Sequence, residues 1–205
     1  SNRKHYLCNY MDRLNLISDI IQSRRTVKPN EMDAQRDVPK ELLDQIFENA
    51  NWAPTHGMTE PWRFKLFAGE SRKLLGEKLQ YLYVNHTTKK DFKESKMEKL
   101  GRNPQLAPVV IAVCMKRGEN EKIPVVEEIE SVACSVQNIH LTASAAGLGG
   151  FWSTPKVLDT EGMRKFLKLG NDDLCLGLFY LGWLKEGGCF PKGCRRPIEE
   201  KLEWM

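Results

Sequence analysis

Four short stretches carry residue types that could do chemistry. SRRTVK at 23–28 sets Ser23, Arg24, Arg25 and Thr26 side by side, with Lys28 two positions on. Guanidinium groups offer forked N–H donors that match phosphate oxygens in a way a lysine cannot, and a hydroxyl adds another donor, so this cluster could hold a phosphate dianion. The plainer reading is that basic residues at a helix end complement its negative pole. CRRP at 194–197 is by itself a solvated basic turn, but Arg195 could give a third contact to an anion held by Arg24 and Arg25. APTHGMTEPWRF at 53–64 holds Thr55, His56, Gly57 and Met58 between Pro54 and Pro61. Such a loop is stiff enough to present a planar ligand, or it is a structural turn with Trp62 as its core anchor. GLGGFWSTP at 147–155 invites a phosphate-cradle reading, yet its glycines follow a long helix and lead into a strand, the reverse of a dinucleotide fingerprint. Rossmann and P-loop readings are therefore rejected. A helix stop followed by a turn accounts for Gly147 and Pro155 and leaves Trp152, Ser153 and Thr154 free to line a site.

The elements that must position these residues follow from hydrophobic spacing. Leu14, Leu16, Ile17, Ile20 and Ile21 predict a helix over 12–25 with Asp12 as N-cap, and Leu42, Leu43, Ile46, Phe47 and Ala50 predict a second, opened by Pro39. WRFKLF at 62–67 alternates as a half-buried strand does, residues 70–100 read as charged helix, and VVIAVCM at 109–115 reads as a strand covered on both faces. Val125, Ile129, Val132, Val136, Ile139, Ala143 and Ala146 repeat at helical spacing after Pro124. Glu127, Glu128 and Glu130 crowd the start of that helix, where its dipole favours them, and Gly147 ends it. Small residues on its faces (Ala133, Ser135, Ala143, Ala145) suit a central core helix or a dimer interface. A brief strand at 151–152, a short helix over 161–169 and an apolar strand over 174–184 complete an α+β domain.

The 205 residues suffice for one domain with a core of its own, and with 41% hydrophobic and 28% charged residues the composition excludes disorder and fibrous repeats. The net charge of +4 is interleaved with acids, which argues against a nucleic-acid stripe and suits an anionic small molecule. Six cysteines have neither zinc nor thioredoxin spacing, and no metal is expected; Cys114, Cys134 and Cys175 sit in apolar or small-residue runs and read as buried thiols. With no signal peptide or membrane-length apolar run, the expected setting is the reducing cytoplasm. Residues 1–11 are taken as an N-terminal extension, with Ser1 and Asn2 as an expression remnant, and 12–205 as the single domain.

In this order and spacing, SRRTVKP, APTHGMTEPWRF, the long helix ending GLGGFWSTP, LFYLGW and RRPIEEKLEW resemble the FMN-dependent nitroreductase family, from about residue 14 to the C-terminus. The resemblance implies a mixed central sheet flanked by helices and an intertwined homodimer with two FMN sites at the subunit interface. It implies that Arg24, Arg25 and Thr26 hold the phosphate and ribityl chain, with Arg195 as a third phosphate contact. It places Lys28 near the flavin pyrimidine, where a cation would stabilise negative charge gained on reduction, and Trp152, Ser153 and Thr154 along the isoalloxazine. Thr55 and His56 match positions that reach the flavin of the other subunit, which explains the stiffness of their loop.

No side chain is expected as acid or base, since flavin N5 carries the hydride chemistry. The implied activity passes electrons from NADH or NADPH through FMN to a small acceptor such as a nitroaromatic or quinone. Two other readings share the same cofactor residues: a flavin-binding sensor or storage dimer, and a flavin-degrading enzyme. Glu60 stands where some relatives have Gln and is left unassigned. The variable, lid-like region 81–107 lacks the Glu, Tyr and Lys constellation of the related iodotyrosine deiodinases, which argues against deiodination.

Overall fold

The computed structural model describes the backbone of residues 2–205 and the side chains of residues 10–205; Ser1 and the side chains of Asn2 and Cys8 lie outside the described residues. Four strands, β1 (Trp62–Ala68), β2 (Val109–Met115), β3 (Leu148–Ser153) and β4 (Leu174–Trp183), form one sheet in the order β1-β2-β4-β3. All three ladders are antiparallel, and a parallel bridge from Thr26 to Gly150 makes the β3 edge mixed. β2, the continuous apolar run, is buried at all seven positions because it lies between two strands and under helices on both faces.

Alternation along the strands divides the interior in two. Val110, Ala112, Cys114, Leu178 and Tyr180 face one core with Leu75, Leu79 and Leu82 of α3 (Ser71–His86) and Met163 of α6 (Glu161–Phe166). Val109, Ile111, Val113, Met115, Phe179 and Leu181 face the other, against Ile46 and Ala50 of α2 (Lys40–Asn51) and Val132, Val136, Ile139 and Ala143 of α5 (Val125–Ala145). The small residues of α5 let it approach α2 closely: Ser135 Oγ donates to the Ala50 carbonyl at 2.8 Å inside the core.

Several boundaries differ from expectation. The first helix, α1, runs Asn2–Ser23 and does not start at an Asp12 cap, because no Pro or Gly interrupts the chain before Ser23. Leu14, Leu16, Ile17 and Ile21 on it remain 43–62% exposed. The charged stretch after β1 divides into α3 and α4 (Glu94–Arg102), joined by a turn in which Thr88 Oγ1 donates to Asp91 Oδ2 at 2.7 Å. Cys134, expected to be buried, is exposed on the outward face of α5, while Cys114 is buried and Cys175 half-buried. Among the described residues no helix is long and apolar enough to cross a membrane.

Candidate cofactor site

α1 stops at Ser23, and the chain turns to run beside β3, where Val27 N–H donates to the Gly150 carbonyl at 3.0 Å. That turn puts Arg24 and Arg25 against the C-terminal tail, where they line a cavity of about 580 Å3 with Arg195, Gln137, Gly193 and Cys194. Burial, then the charges of Arg195 and Arg25, lower the pKa of Arg24 from its usual value. None of the three guanidinium groups has a carboxylate partner among the described residues. Three like charges gathered without a counter-ion make a site for an anion carrying several oxygens. Arg25 divides its donors: Nε binds the Pro191 carbonyl at 2.9 Å and Nη1 the Gln22 and Arg24 carbonyls, so it ties the tail to the end of α1, and its guanidinium packs against Gly193 of the cavity lining.

His140, which the sequence reading passed over, supports this turn from below. It lies on the buried stripe of α5 and is 8% exposed. Its Nε2 is 3.1 Å from the Arg25 carbonyl. A carbonyl can only accept, so Nε2 carries the proton of the neutral ring. Arg24 Nη1 is 3.4 Å from both ring nitrogens. An in-plane atom at those distances would collide with Cε1, so the guanidinium lies over the ring face as a cation on a π-system. Phe179 meets the ring edge-on, with centroids 5.2 Å apart. Desolvation, then the Arg24 charge, push the His140 pKa down to about 4, so the ring is neutral around pH 7.

The glycines of the 147–155 segment have a packing role here. A Cβ on Gly149 would lie 2.7 Å from Val27 Cβ, and one on Gly150 would lie 2.5 Å from Phe179 and 2.9 Å from His140. They let the 24–28 segment and His140 close on the start of β3. Farther along β3, Trp152 pairs with Phe179 and Ser153 with Leu178, and Thr154 follows the strand end. Lys28 is exposed at the end of the same segment, where its backbone N–H donates to Glu31 Oε2 at 2.9 Å.

Thr55 and His56 lie elsewhere. Their loop holds itself by short-range bonds: Thr55 Oγ1 is 3.1 Å from Thr59 Oγ1 and accepts from the Glu60 N–H at 3.1 Å. Gly57, Met58 and Glu60 all have positive φ, so the segment is a tight and strained turn. His56 Nδ1 is 2.5 Å from Glu127 Oε2 in the first turn of α5. His140 is thirteen positions later on that helix, a rise of about 20 Å. One chain therefore brings Arg24, Arg25 and Arg195 together, with the 24–28 segment laid along β3, and leaves Thr55 and His56 at the opposite end of α5.

A second cavity, of about 460 Å3, opens where the chain leaves β3. Pro155 and Lys156 form one wall, and Tyr83, His86 and Lys96 of the 81–107 region form the other.

Comparison with known proteins converges on one group. A sequence-family model described as the nitroreductase family matches residues 21–183. YfhC of Bacillus subtilis, a candidate NAD(P)H nitroreductase, is 26% identical over 192 residues, covering 93% of this chain and 94% of that protein. The crystal structure of a nitroreductase-like family protein from Bacillus cereus superposes with a TM-score of 0.76 at 27% identity, over 92% of this chain and 95% of the other. The FMN-dependent nitroreductase NfnB from Mycobacterium smegmatis, solved with NADPH, shares the fold with a TM-score of 0.70 at 17% identity, over 94% and 99% of the two chains.

Proposed function

The chain belongs to the nitroreductase family, and on that premise we propose that it is an FMN-dependent NAD(P)H oxidoreductase, working as a homodimer, that reduces a small acceptor such as a nitroaromatic or a quinone. The observation that carries this reading is the triad of guanidinium groups, Arg24, Arg25 and Arg195, gathered around one cavity with no carboxylate to neutralise them. Such a cradle fits the phosphate of FMN, and it lies against the segment that runs alongside β3.

In this reading Arg24, Arg25 and Arg195 hold the phosphate, and Thr26 holds the ribityl chain. Lys28 sets a positive charge by the pyrimidine, and Trp152, Ser153 and Thr154 border the ring system. Bound FMN supplies hydride acceptance and donation; the protein orients it, excludes water from one face and tunes it electrostatically. Thr55 and His56 serve the site of the second subunit. Two features support the dimer: the distance of these residues from the arginine cluster, and the uncovered apolar residues Leu14, Leu16, Ile17 and Ile21 on α1 and Trp204 in the tail. The cavity between Lys156 and the 81–107 region is where the nicotinamide donor and the acceptor take turns. The described cysteines, all free thiols, suit a cytoplasmic setting.

The test is a visible absorption spectrum of the purified chain supplied with FMN, followed by anaerobic addition of NADH and then NADPH. The expected result is a flavin spectrum that bleaches with one or both nucleotides and recovers on addition of a nitroaromatic. Failure to bind FMN would overturn the reading, and FMN that stays oxidised with both nucleotides would leave binding without turnover.

A further inference from the structure

Cys114 on β2 and Cys175 on β4 lie outside the cofactor site and opposite each other across the antiparallel ladder. The pairing depends on an irregularity. Val113 is registered with Gly177, so an unbroken ladder would set Cys114 against Leu176 and turn Cys175 toward the α2 and α5 core. Instead the register slips by one residue, Leu176 is the extra residue of a bulge, and Cys114 meets Cys175. Leu174 and Leu176 then pack on the α2 and α5 side, while Cys175 joins Cys114 against α3 and α6. Gly177, with φ of 148°, supplies the backbone conformation beside the bulge that a side chain would resist.

Residues directly opposite in an antiparallel ladder have Cα atoms about 4.5–5.5 Å apart, inside the span a disulfide bridges without backbone movement. The two thiols differ in access and in acidity. Cys114 is fully buried, whereas Cys175 is half-buried and borders a cavity of about 70 Å3 with Asp159 and Arg164 on its rim, room for a molecule the size of water or peroxide. Each thiol donates to a backbone carbonyl, Cys114 Sγ to Ala112 at 3.7 Å and Cys175 Sγ to Gly177 at 3.8 Å, and the nearness of the two sulfurs holds the Cys175 pKa down and, with burial, pushes that of Cys114 up. The reachable sulfur is thus also the more readily ionised of the two, and the thiolate is the nucleophile.

We propose that Cys114 and Cys175 are a modification site, a dithiol that hydrogen peroxide closes to a cross-strand disulfide. The Cys175 thiolate attacks one peroxide oxygen; the O–O bond breaks, the distal oxygen leaves as hydroxide and takes up a proton, and Cys175 becomes a sulfenic acid. The Cys114 sulfur then attacks the Cys175 sulfur; the S–O bond breaks, and the hydroxyl leaves with the Cys114 proton as a second water. In sum, two thiols lose two electrons and two protons, and one peroxide is reduced to two waters. The reaction needs no flavin, so it stands apart from the oxidoreductase reading. Its product would fasten β2 to β4 at the bulge, beside the Gly177 on which the Trp152 indole rests.

The full chain, reduced and desalted, is exposed to dilute hydrogen peroxide, denatured, alkylated and mapped by mass spectrometry without reductant. The expected result is a linked pair of peptides containing Cys114 and Cys175, the loss of two alkylatable thiols from the six in the sequence, and their recovery with dithiothreitol. Cys114→Ser should leave a Cys175 sulfenic acid that dimedone traps, while Cys134→Ser should oxidise as the unaltered chain does. The proposal is overturned if Cys114 and Cys175 are both recovered alkylated when the exposed Cys189 and Cys194 have been oxidised, or if Cys175 goes to sulfinate without linkage. Both readings come from the unaltered protein, so neither depends on a variant folding.

Discussion

The guanidinium of Arg24 lies over the imidazole face of His140, with Nη1 3.4 Å from both ring nitrogens. The same ring donates from Nε2 to the carbonyl of Arg25. One neutral side chain thereby holds a cation and fixes the backbone that follows it. A lysine could not do so, because it has no acceptor for Arg24 and would add a like charge. His140→Phe keeps the π-face and removes the hydrogen bond. The expected effect is FMN binding weakened by about 1 kcal/mol, or roughly fivefold, with riboflavin binding little changed, because the lost bond shapes only the phosphate end. Fluorescence titration of the apoprotein with both flavins measures the difference; equal losses for the two would contradict a role at the phosphate.

His140 also makes stability depend on pH. Its pKa is about 4 in the folded chain, below the ordinary value of 6.5, so the unfolded chain binds the proton more readily. Stability from this group is complete above pH 6.5, declines as pH falls and is lost below pH 4, a total of about 3 kcal/mol. Urea midpoints measured at intervals from pH 7 to pH 4 should fall for the natural chain and fall less for His140→Phe.

Arg24→Ala and Arg195→Ala each remove a charged donor from the cavity. Each should weaken FMN by about 1.5–3 kcal/mol, roughly tenfold to a hundredfold, and leave riboflavin nearly unaffected. Added salt should weaken FMN binding to the natural chain more than to either variant. Titration at two ionic strengths separates this outcome from general unfolding.

Glu128 forms a buried ion pair away from that site. Its Oε2 is 2.6 Å from Arg117 Nη1, Oε1 accepts from the Gly118 N–H at 3.0 Å, and its side chain is 1% exposed. Arg117 Nη2 in turn binds the Ile123 carbonyl at 2.7 Å, so the pair closes the loop between β2 and α5. Glu128→Ala should lower stability by about 3–5 kcal/mol, because it leaves a partly buried cation alone, whereas Glu127→Ala next to it should have a small effect. Chemical denaturation of the two variants gives the comparison.

The framework was readable in the sequence wherever one physical signal dominated. The unbroken apolar run of β2, the four-and-three spacing of α5 and the proline at the head of each of α2 and α5 each pointed to one element. The bulge in β4 was not readable, because Leu174, Cys175, Leu176 and Leu178 are apolar or nearly so and a one-residue slip leaves no trace in such a run. His140 left a fainter mark: it continues the i, i+4 stripe of Val132 and Val136, and a titratable residue on a buried stripe calls for a partner. Glu128 looked like one of three acids complementing the helix dipole, and only the loop folding back showed which of them is enclosed. Arg195 is 170 positions from Arg25 in sequence, so their meeting could be inferred from family resemblance but not from local pattern.

α5 carries His140 near one end and meets the His56 loop near the other, so it joins two groups of residues by phase as well as by length. Each residue added to or removed from its middle would turn one group by about 100° relative to the other and shift it by about 1.5 Å. Changes of a single residue would leave one group facing the wrong way. Only steps near whole turns, such as the seven residues that make about two, keep both facing as they do. The helix is thus an indexed shaft, and its residue count is under geometric constraint even where the side chains along it are free to vary.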